Sequence, residues 1–241
     1  MGFGITHSSL KMKKAVILLS GGLDSATVLA LAKQQNFEPY CLSFLYGQRH
    51  GIELEMAKKI ANFFSIKEHK IAEIDLRIFG GSALTSSIEV PKNNDFKSSN
   101  KIPITYVPAR NTIFLSYALA YAEVITSFDI FIGVNSIDYS GYPDCRADYI
   151  KSFEKMANLA TASSLNSNNF FKIHTPLISM NKKEIIKTGM NLGVDFSITH
   201  SCYDPKIASD EVISCGQCDS CILRLAGFKA NNLVDPIKYR I

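Results

Sequence analysis

The chain has 241 residues, 46% of them hydrophobic, and a formal net charge of +4 at pH 7. That is enough apolar material to bury the core of one large domain, which excludes a chain disordered throughout. So small a charge gives no electrostatic argument for a nucleic-acid partner, and no apolar run reaches the ~18–20 residues of a membrane span. The opening MGFGITHSSLKMKK lacks the charged-then-apolar order of a secretory signal. Residues 1–13 read as an N-terminal extension, with Met12 an alternative start, and the protein reads as cytoplasmic. Six cysteines in such a chain point to metal or thiol chemistry rather than disulfides.

Lys14-Ala-Val-Ile-Leu-Leu19 is a continuous apolar run, the pattern of a parallel strand buried on both faces. It passes into Ser20-Gly-Gly-Leu-Asp-Ser25 and then into a helix-forming stretch from Ala26 to Gln35. A second strand is expected over Tyr40–Leu45, a second helix over Ile52–Phe64 and a third strand over Ile71–Ile74. From about Phe79 to Lys101 the chain is polar and aperiodic, as lids and binding loops are. There follow a helix over Asn111–Ile125, a strand over Asp129–Val134 and a polar loop from Asn135 to Arg146. A helix from about Asp148, a loop over Thr161–Asn169, a short strand over Ile173–Ile178 and a helix over Lys182–Leu192 complete the pattern. This alternation predicts an α/β fold with a doubly wound, mainly parallel sheet over residues 14–198. Ligands of such sheets sit beyond the carboxyl ends of the strands, so the loops after Leu19, Leu45 and Val134 are the places to look.

In the first of these loops two glycines let the backbone turn tightly and present N–H groups to an anion, and the helix start adds partial positive charge. Ser20 and Ser25 add hydroxyls. Asp24 is a carboxylate where phosphates would gather, which requires a cation between them and points to Mg²⁺ with a polyphosphate. An isolated SGG is an ordinary strand-to-helix turn with a capping side chain. The full SGGxDS, without the lysine of GxxxxGK[ST], resembles the pyrophosphate loop of the N-type ATP pyrophosphatases, which adenylate a substrate. That resemblance makes Leu18, Leu19, Ser20, Gly21, Gly22, Leu23, Asp24, Ser25, Ala26, Thr27 and Val28 the candidate ATP-binding residues.

Tyr46-Gly-Gln-Arg-His50 follows the second strand, where Arg49 can make a two-pronged contact to a carboxylate or phosphate and His50 can exchange protons. A solvated turn is the plain alternative. In Val107-Pro-Ala-Arg-Asn111 the expected helix cap is Asn111. Arg110, near the positive end of the helix, is poorly placed unless an anion lies beyond it. Asp138 and Ser140-Gly-Tyr-Pro-Asp-Cys-Arg146 put carboxylates, an aromatic face and an arginine in one loop, a suitable kit for a guanine-like ring. The plain reading is a turn shaped by Gly141 and Pro143. Cys145 stands alone, and a lone cysteine is more often packing than nucleophile.

Cys202 is followed after twelve residues by Cys215-Gly-Gln-Cys218-Asp-Ser-Cys221. Four thiolates so spaced can close a tetrahedral site around Zn²⁺. An iron–sulfur cluster is the rival, but the ferredoxin pattern continues with a downstream cysteine, which is absent here. Four thiolates fill the zinc shell, so such a metal is structural, one per chain.

Taken together, SGGLDS, YGQRH, VPARN, SGYPDCR and CGQCDSC resemble, in order, the 7-cyano-7-deazaguanine synthase family of the queuosine pathway. The resemblance implies an adenine-nucleotide alpha hydrolase-like fold with a C-terminal zinc-binding segment, residues 199–241, and a homodimer. It implies that 7-carboxy-7-deazaguanine, ammonia and ATP give the 7-cyano compound through activated carboxylate and amide intermediates, with neither nucleic acid nor membrane as partner. Asp24, Arg49, Arg110 and Arg146 become the catalytic candidates. Tyr46, Gln48, Arg49, Asp138, Tyr142 and Asp144 become the substrate-binding ones, and Cys202, Cys215, Cys218 and Cys221 the zinc ligands. The alternatives are a tRNA-thiolating or lysidine-forming enzyme sharing the pyrophosphate loop, the former relying on Cys145, or a zinc-ribbon module binding nucleic acid.

Overall fold

A computed structural model describes residues 12–93, 102–138, 141–208 and 211–240. Five parallel strands form one sheet in the order β3-β2-β1-β4-β5. They are β1 (Lys13–Leu18), β2 (Phe37–Leu45), β3 (Glu68–Glu73), β4 (Asp129–Phe131) and β5 (Lys172–His174). The order reverses at β1, whose Ile17 pairs with Cys41 on one side and Phe131 on the other. The connecting helices are α1 (Leu23–Gln34), α2 (Ile52–Phe63), α3 (Arg110–Val124), α4 (Ala147–Ala160), α5 (Ala162–Asn166) and α6 (Lys182–Asn191).

The strand period of two divides the apolar run of β1 between two cores. Val16 and Leu18 join Leu42, Phe44 and Ile130 beneath α3 and α4, with Leu115, Leu119, Ile150 and Phe153. Ala15, Ile17 and Leu19 join Cys41 and Phe131 beneath the helices of the other face, with Val28, Leu29, Ile60, Ile185 and Ile186. Burial on both faces is therefore why the run contains no polar alternation.

Several boundaries differ from the sequence expectation, each for a local reason. β2 begins at Phe37, three residues early, and includes Pro39. Pro39 pairs only with β1, because β3 joins from Tyr40, so its missing N–H costs no ladder bond on the far side. β4 ends at Phe131 rather than Val134. β5 covers Lys172–His174 and stops before Pro176, where Ile178 N–H closes a turn on Thr175 O at 3.1 Å. The expected loop over Thr161–Asn169 contains the short helix α5. The buried Thr161 and Ser164 hydroxyls meet at 2.8 Å, and Ser163 N–H donates to Glu123, so local polar bonds replace an apolar pattern. The expected lid is free of helix and strand over Gly80–Asn93, and its residues 94–101 lie outside the described residues.

The C-terminal part adds a hairpin of β6 (Lys206–Ala208) and β7 (Glu211–Ile213), and a helix, α7 (Asp219–Ala230). α7 packs closely on α6: a Cβ at Gly227 would meet Ile186 Cδ1 and Lys182 Cγ, both at 2.8 Å. Arg224, 1% exposed, grips Asp235 through Nε (2.7 Å) and Nη2 (3.0 Å) and donates to Thr199 Oγ1 and Phe196 O. A buried guanidinium is tolerable only when its donors are satisfied in this way. No helix among the described residues is long and apolar enough to cross a membrane.

Candidate active site and metal centre

The loop after β1 turns through Gly21, whose φ of +83° suits glycine alone. A Cβ there would lie 2.0 Å from Glu53 O, so the first turn of α2 rests directly on the loop. Gly22 caps α1 without any side chain bonded to the helix start. The open N–H end and its dipole face the cavity, the geometry that anions favour. Ser20 and Ser25 hydroxyls meet at 3.1 Å, and Ser25 Oγ also donates to Gly22 O at 3.0 Å. Leu18 to Ser20 and Gly22 to Ser25 line the cavity, whereas Ala26, Thr27 and Val28 are buried inside α1.

Asp24 is already paired with a cation. Lys182 Nζ donates to its Oδ1 at 2.8 Å and Oδ2 at 2.9 Å, and stands 3.4 Å from Asp138 Oδ2. Lys182, the first residue of α6, is 6% exposed. Burial raises the Asp138 carboxyl above the ordinary carboxylate range, with Lys182 opposing the shift and Asp24 adding to it. Asp138 thus stands with Asp24 at the loop.

The cavity, about 210 Å³, continues from the loop to an aromatic end formed by Tyr46, Phe114, Tyr142 and Tyr203, with Arg110 and Glu53 among its walls. Phe44 stacks flat on Phe114 at 3.9 Å, and Tyr142 OH meets Thr105 Oγ1 at 2.7 Å, so these rings are held from behind. Burial pushes Glu53 up to about 7, with Arg110 opposing the shift.

Gln48, Arg49, Asp144 and Arg146 do not line this cavity. Gln48 braces its own turn, accepting from Tyr46 N–H at 2.8 Å and donating to Phe44 O at 3.2 Å. Arg49 donates to Ser86 O at 3.1 Å and to Ile88 O, holding the long loop, and faces a smaller hollow beside the main cavity. Arg146 is exposed at the start of α4. Asp144 Oδ2 accepts the Asn111 N–H at 3.1 Å. The expected cap of α3 is therefore corrected: Ala109 occupies the cap position and Asp144 reaches across to the first turn. Asn111 instead uses its amide to hold Asp144 O at 3.2 Å. Cys145 lines the cavity but is 6% exposed, and burial pushes its thiol up to about 12, so it stays protonated.

Cys202, Cys215, Cys218 and Cys221 bring four buried sulfurs within 4.8 Å of one another. Cys215 and Cys221 sulfurs stand 3.9 Å apart, close to the ~3.8 Å edge of a tetrahedron with 2.3 Å Zn–S bonds. Backbone N–H groups of Asp204 (3.3 Å) and Cys215 (3.1 Å) point at the Cys202 sulfur, and that of Cys218 (3.2 Å) at the Cys215 sulfur. Such donors orient and stabilise thiolate ligands. The cluster can hold a metal ion and is consistent with zinc. The twelve-residue spacer between Cys202 and Cys215 is taken up by the β6–β7 hairpin. His200, Ser201, Tyr203, Ser220 and Arg224, all from this segment, line the main cavity.

The sequence model of the family described as "Queuosine biosynthesis protein QueC" matches residues 14–232. The chain belongs to the QueC family and acts in queuosine biosynthesis. A relative from Geotalea uraniireducens named 7-cyano-7-deazaguanine synthase is 60% identical, over 94% of this chain and 97% of its own length. Another of that name, from Desulfatibacillum aliphaticivorans, is 56% identical over 96% and 99% of the two chains. Among solved structures, NMN synthetase from Francisella tularensis is 20% identical with a TM-score of 0.48, over 80% of this chain and 66% of that one. That distant likeness bears on no functional detail.

Two residues lining this cavity escaped the motif reading. Lys182 lies 158 positions from Asp24. Its one sequence signal was a lysine in the first turn of a helix, where a cation is disfavoured without an acidic partner. Glu53, in the first turn of α2, carried no motif of its own.

Proposed function

We propose that the protein converts 7-carboxy-7-deazaguanine, ammonia and ATP into 7-cyano-7-deazaguanine. The observation that carries this reading is a single cavity joining the glycine loop, with its open helix end, to an aromatic end bearing Arg110 and Glu53. Nearly full-length identity to relatives of that name supports it. The loop N–H groups and the Ser20 and Ser25 hydroxyls hold the nucleotide phosphates, and Lys182 neutralises charge there as the substrate carboxylate attacks a phosphorus of ATP and the phosphate portion beyond it leaves. Ammonia then displaces the activating group to give the amide and release a proton. A second activation, at the amide oxygen, lets that oxygen leave with its activating group as the nitrogen loses two protons to form the nitrile.

Asp24 and Asp138 converge on the Lys182 ammonium, and their hard oxygen donors at the phosphate loop are of the kind that Mg²⁺ takes. An ion held there would supply further charge neutralisation to the polyphosphate. We assign zinc to the four cysteines, residues 14–198 to ATP binding and residues 199–241 to the zinc-bearing segment. The tRNA-thiolating alternative needs a reactive Cys145, and a thiol buried and protonated as this one is argues against it.

The test is mass spectrometry of purified protein with ATP, Mg²⁺, ammonium and 7-carboxy-7-deazaguanine. Formation of the nitrile dependent on all components is expected. ATP consumption that requires tRNA and ignores the free acid would overturn the proposal.

A further inference from the structure

The Glu53 carboxylate has no hydrogen bond among the described residues, although Glu53 lines the cavity and Arg110 is the charge opposing its shift. Unpaired carboxylates facing a mostly apolar, aromatic space are costly and persist where a ligand supplies the donors. Of the acids first considered for the ring, Asp144 accepts the Asn111 N–H, and Asp138 stands with Lys182 beside the phosphate loop. Glu53 shares the aromatic end with Tyr46, Phe114, Tyr142 and Tyr203, whose faces suit a flat heterocycle. Arg110 lies beside the Tyr46 hydroxyl, so acceptor and donor stand next to each other at that end.

Resting on the functional reading above, we propose that Glu53 and Arg110 together determine ring specificity. The Glu53 carboxylate accepts from a ring N–H and the adjacent exocyclic amine, and the Arg110 guanidinium donates to the ring carbonyl oxygen. The acceptor–donor–donor edge of a 2-amino-pyrimidinone ring is the complement of this pair, and a ring without the amine leaves one carboxylate oxygen unpaired. The glycine loop supports the arrangement, because α2 rests on Gly21 through Glu53 O.

The experiment compares KM and kcat for 7-carboxy-7-deazaguanine and for the same acid lacking the 2-amine, in the parent protein and in Glu53→Gln and Glu53→Asp. The parent is expected to favour the amine-bearing acid by about 10–100-fold in KM, the range of a charged hydrogen bond. Glu53→Gln should bring the two acids to within about threefold by raising KM for the amine-bearing one, while KM for ATP stays unchanged; Glu53→Asp should restore part of the preference. Equal use of both acids by the parent, or undiminished discrimination in Glu53→Gln, overturns the assignment and leaves the functional reading standing. Turnover of neither acid by the parent overturns both.

Discussion

The phosphate loop is six consecutive residues, Ser20 to Ser25, fixed by one sharp strand-to-helix turn. The cysteine cluster draws its ligands from Cys202 through Cys221 and needs the β6–β7 hairpin and the start of α7 to bring them together. The two differ in what holds them as well. The loop is set by backbone geometry, with Gly21 pressed against α2, while the cluster is set by four buried sulfurs within 4.8 Å of one another. They nevertheless meet. His200 N–H donates to Gly21 O at 2.9 Å, and His200, Ser201 and Tyr203, next to Cys202, line the cavity that the loop opens into. A metal remote from the phosphates can therefore govern the shape of the site without touching substrate.

The largest expected effect separates the chemistry of the loop from the architecture of the cluster. Asp24→Ala should lower kcat by about 10³-fold or more, the scale of losing a key electrostatic group. Its melting temperature should move only a few degrees, because Asp138 remains beside the Lys182 ammonium. Lys182→Met is the matched variant and should cost about 10²-fold in kcat. Near-normal turnover in Lys182→Met, measured with saturating substrates, would reduce the lysine to a counter-ion for Asp24.

Cys218→Ser should show the opposite profile. Metal content should fall, and stability should drop by several kcal/mol, less than the ~10–16 kcal/mol of isolated zinc-finger peptides because Arg224 and Phe228 also anchor the segment. Activity lost should appear chiefly in KM, through displacement of the His200–Tyr203 wall. Elemental analysis beside thermal unfolding gives the check. A metal-free variant with unchanged melting and KM would break the link between cluster and cavity.

The same contrast explains what was legible beforehand. The doubly wound sheet could be read because its strands are buried on both faces and leave continuous apolar runs, and the loop because its residues are contiguous. The cysteines were legible from spacing alone. Lys182 and Glu53 were not, because each acts through partners brought near only by folding, and α5 was hidden because Thr161 and Ser164 stabilise it with hydroxyls rather than with an apolar stripe. The Asp144 carboxylate accepts the Asn111 N–H at the first turn of α3, a partner 33 positions away that only folding brings near.

The smallest effect concerns Glu53, which stands between the two regions, its backbone on Gly21 and its side chain sharing the cavity with His200 and Tyr203. Burial raises its carboxyl from 4.5 to about 7, with Arg110 alone opposing the shift. The folded state therefore holds the proton more tightly than the unfolded chain does. The resulting stability is fully present below about pH 4.5 and is lost as pH rises through about 7. Glu53→Gln is nearly isosteric and cannot ionise, so it should melt with the parent at pH 5 and above it at pH 8. At ~1.4 kcal/mol per unit the full shift would amount to about 3.5 kcal/mol, and water in the cavity should reduce this to about 1–2 kcal/mol. That corresponds to roughly 2–8 °C in melting temperature for a chain of this size. Melting curves of both proteins from pH 5 to 8, without ligands, decide it. A difference that stays flat across this range would mean that the carboxylate is already satisfied, and would remove the strain that an N–H-bearing ring is expected to relieve.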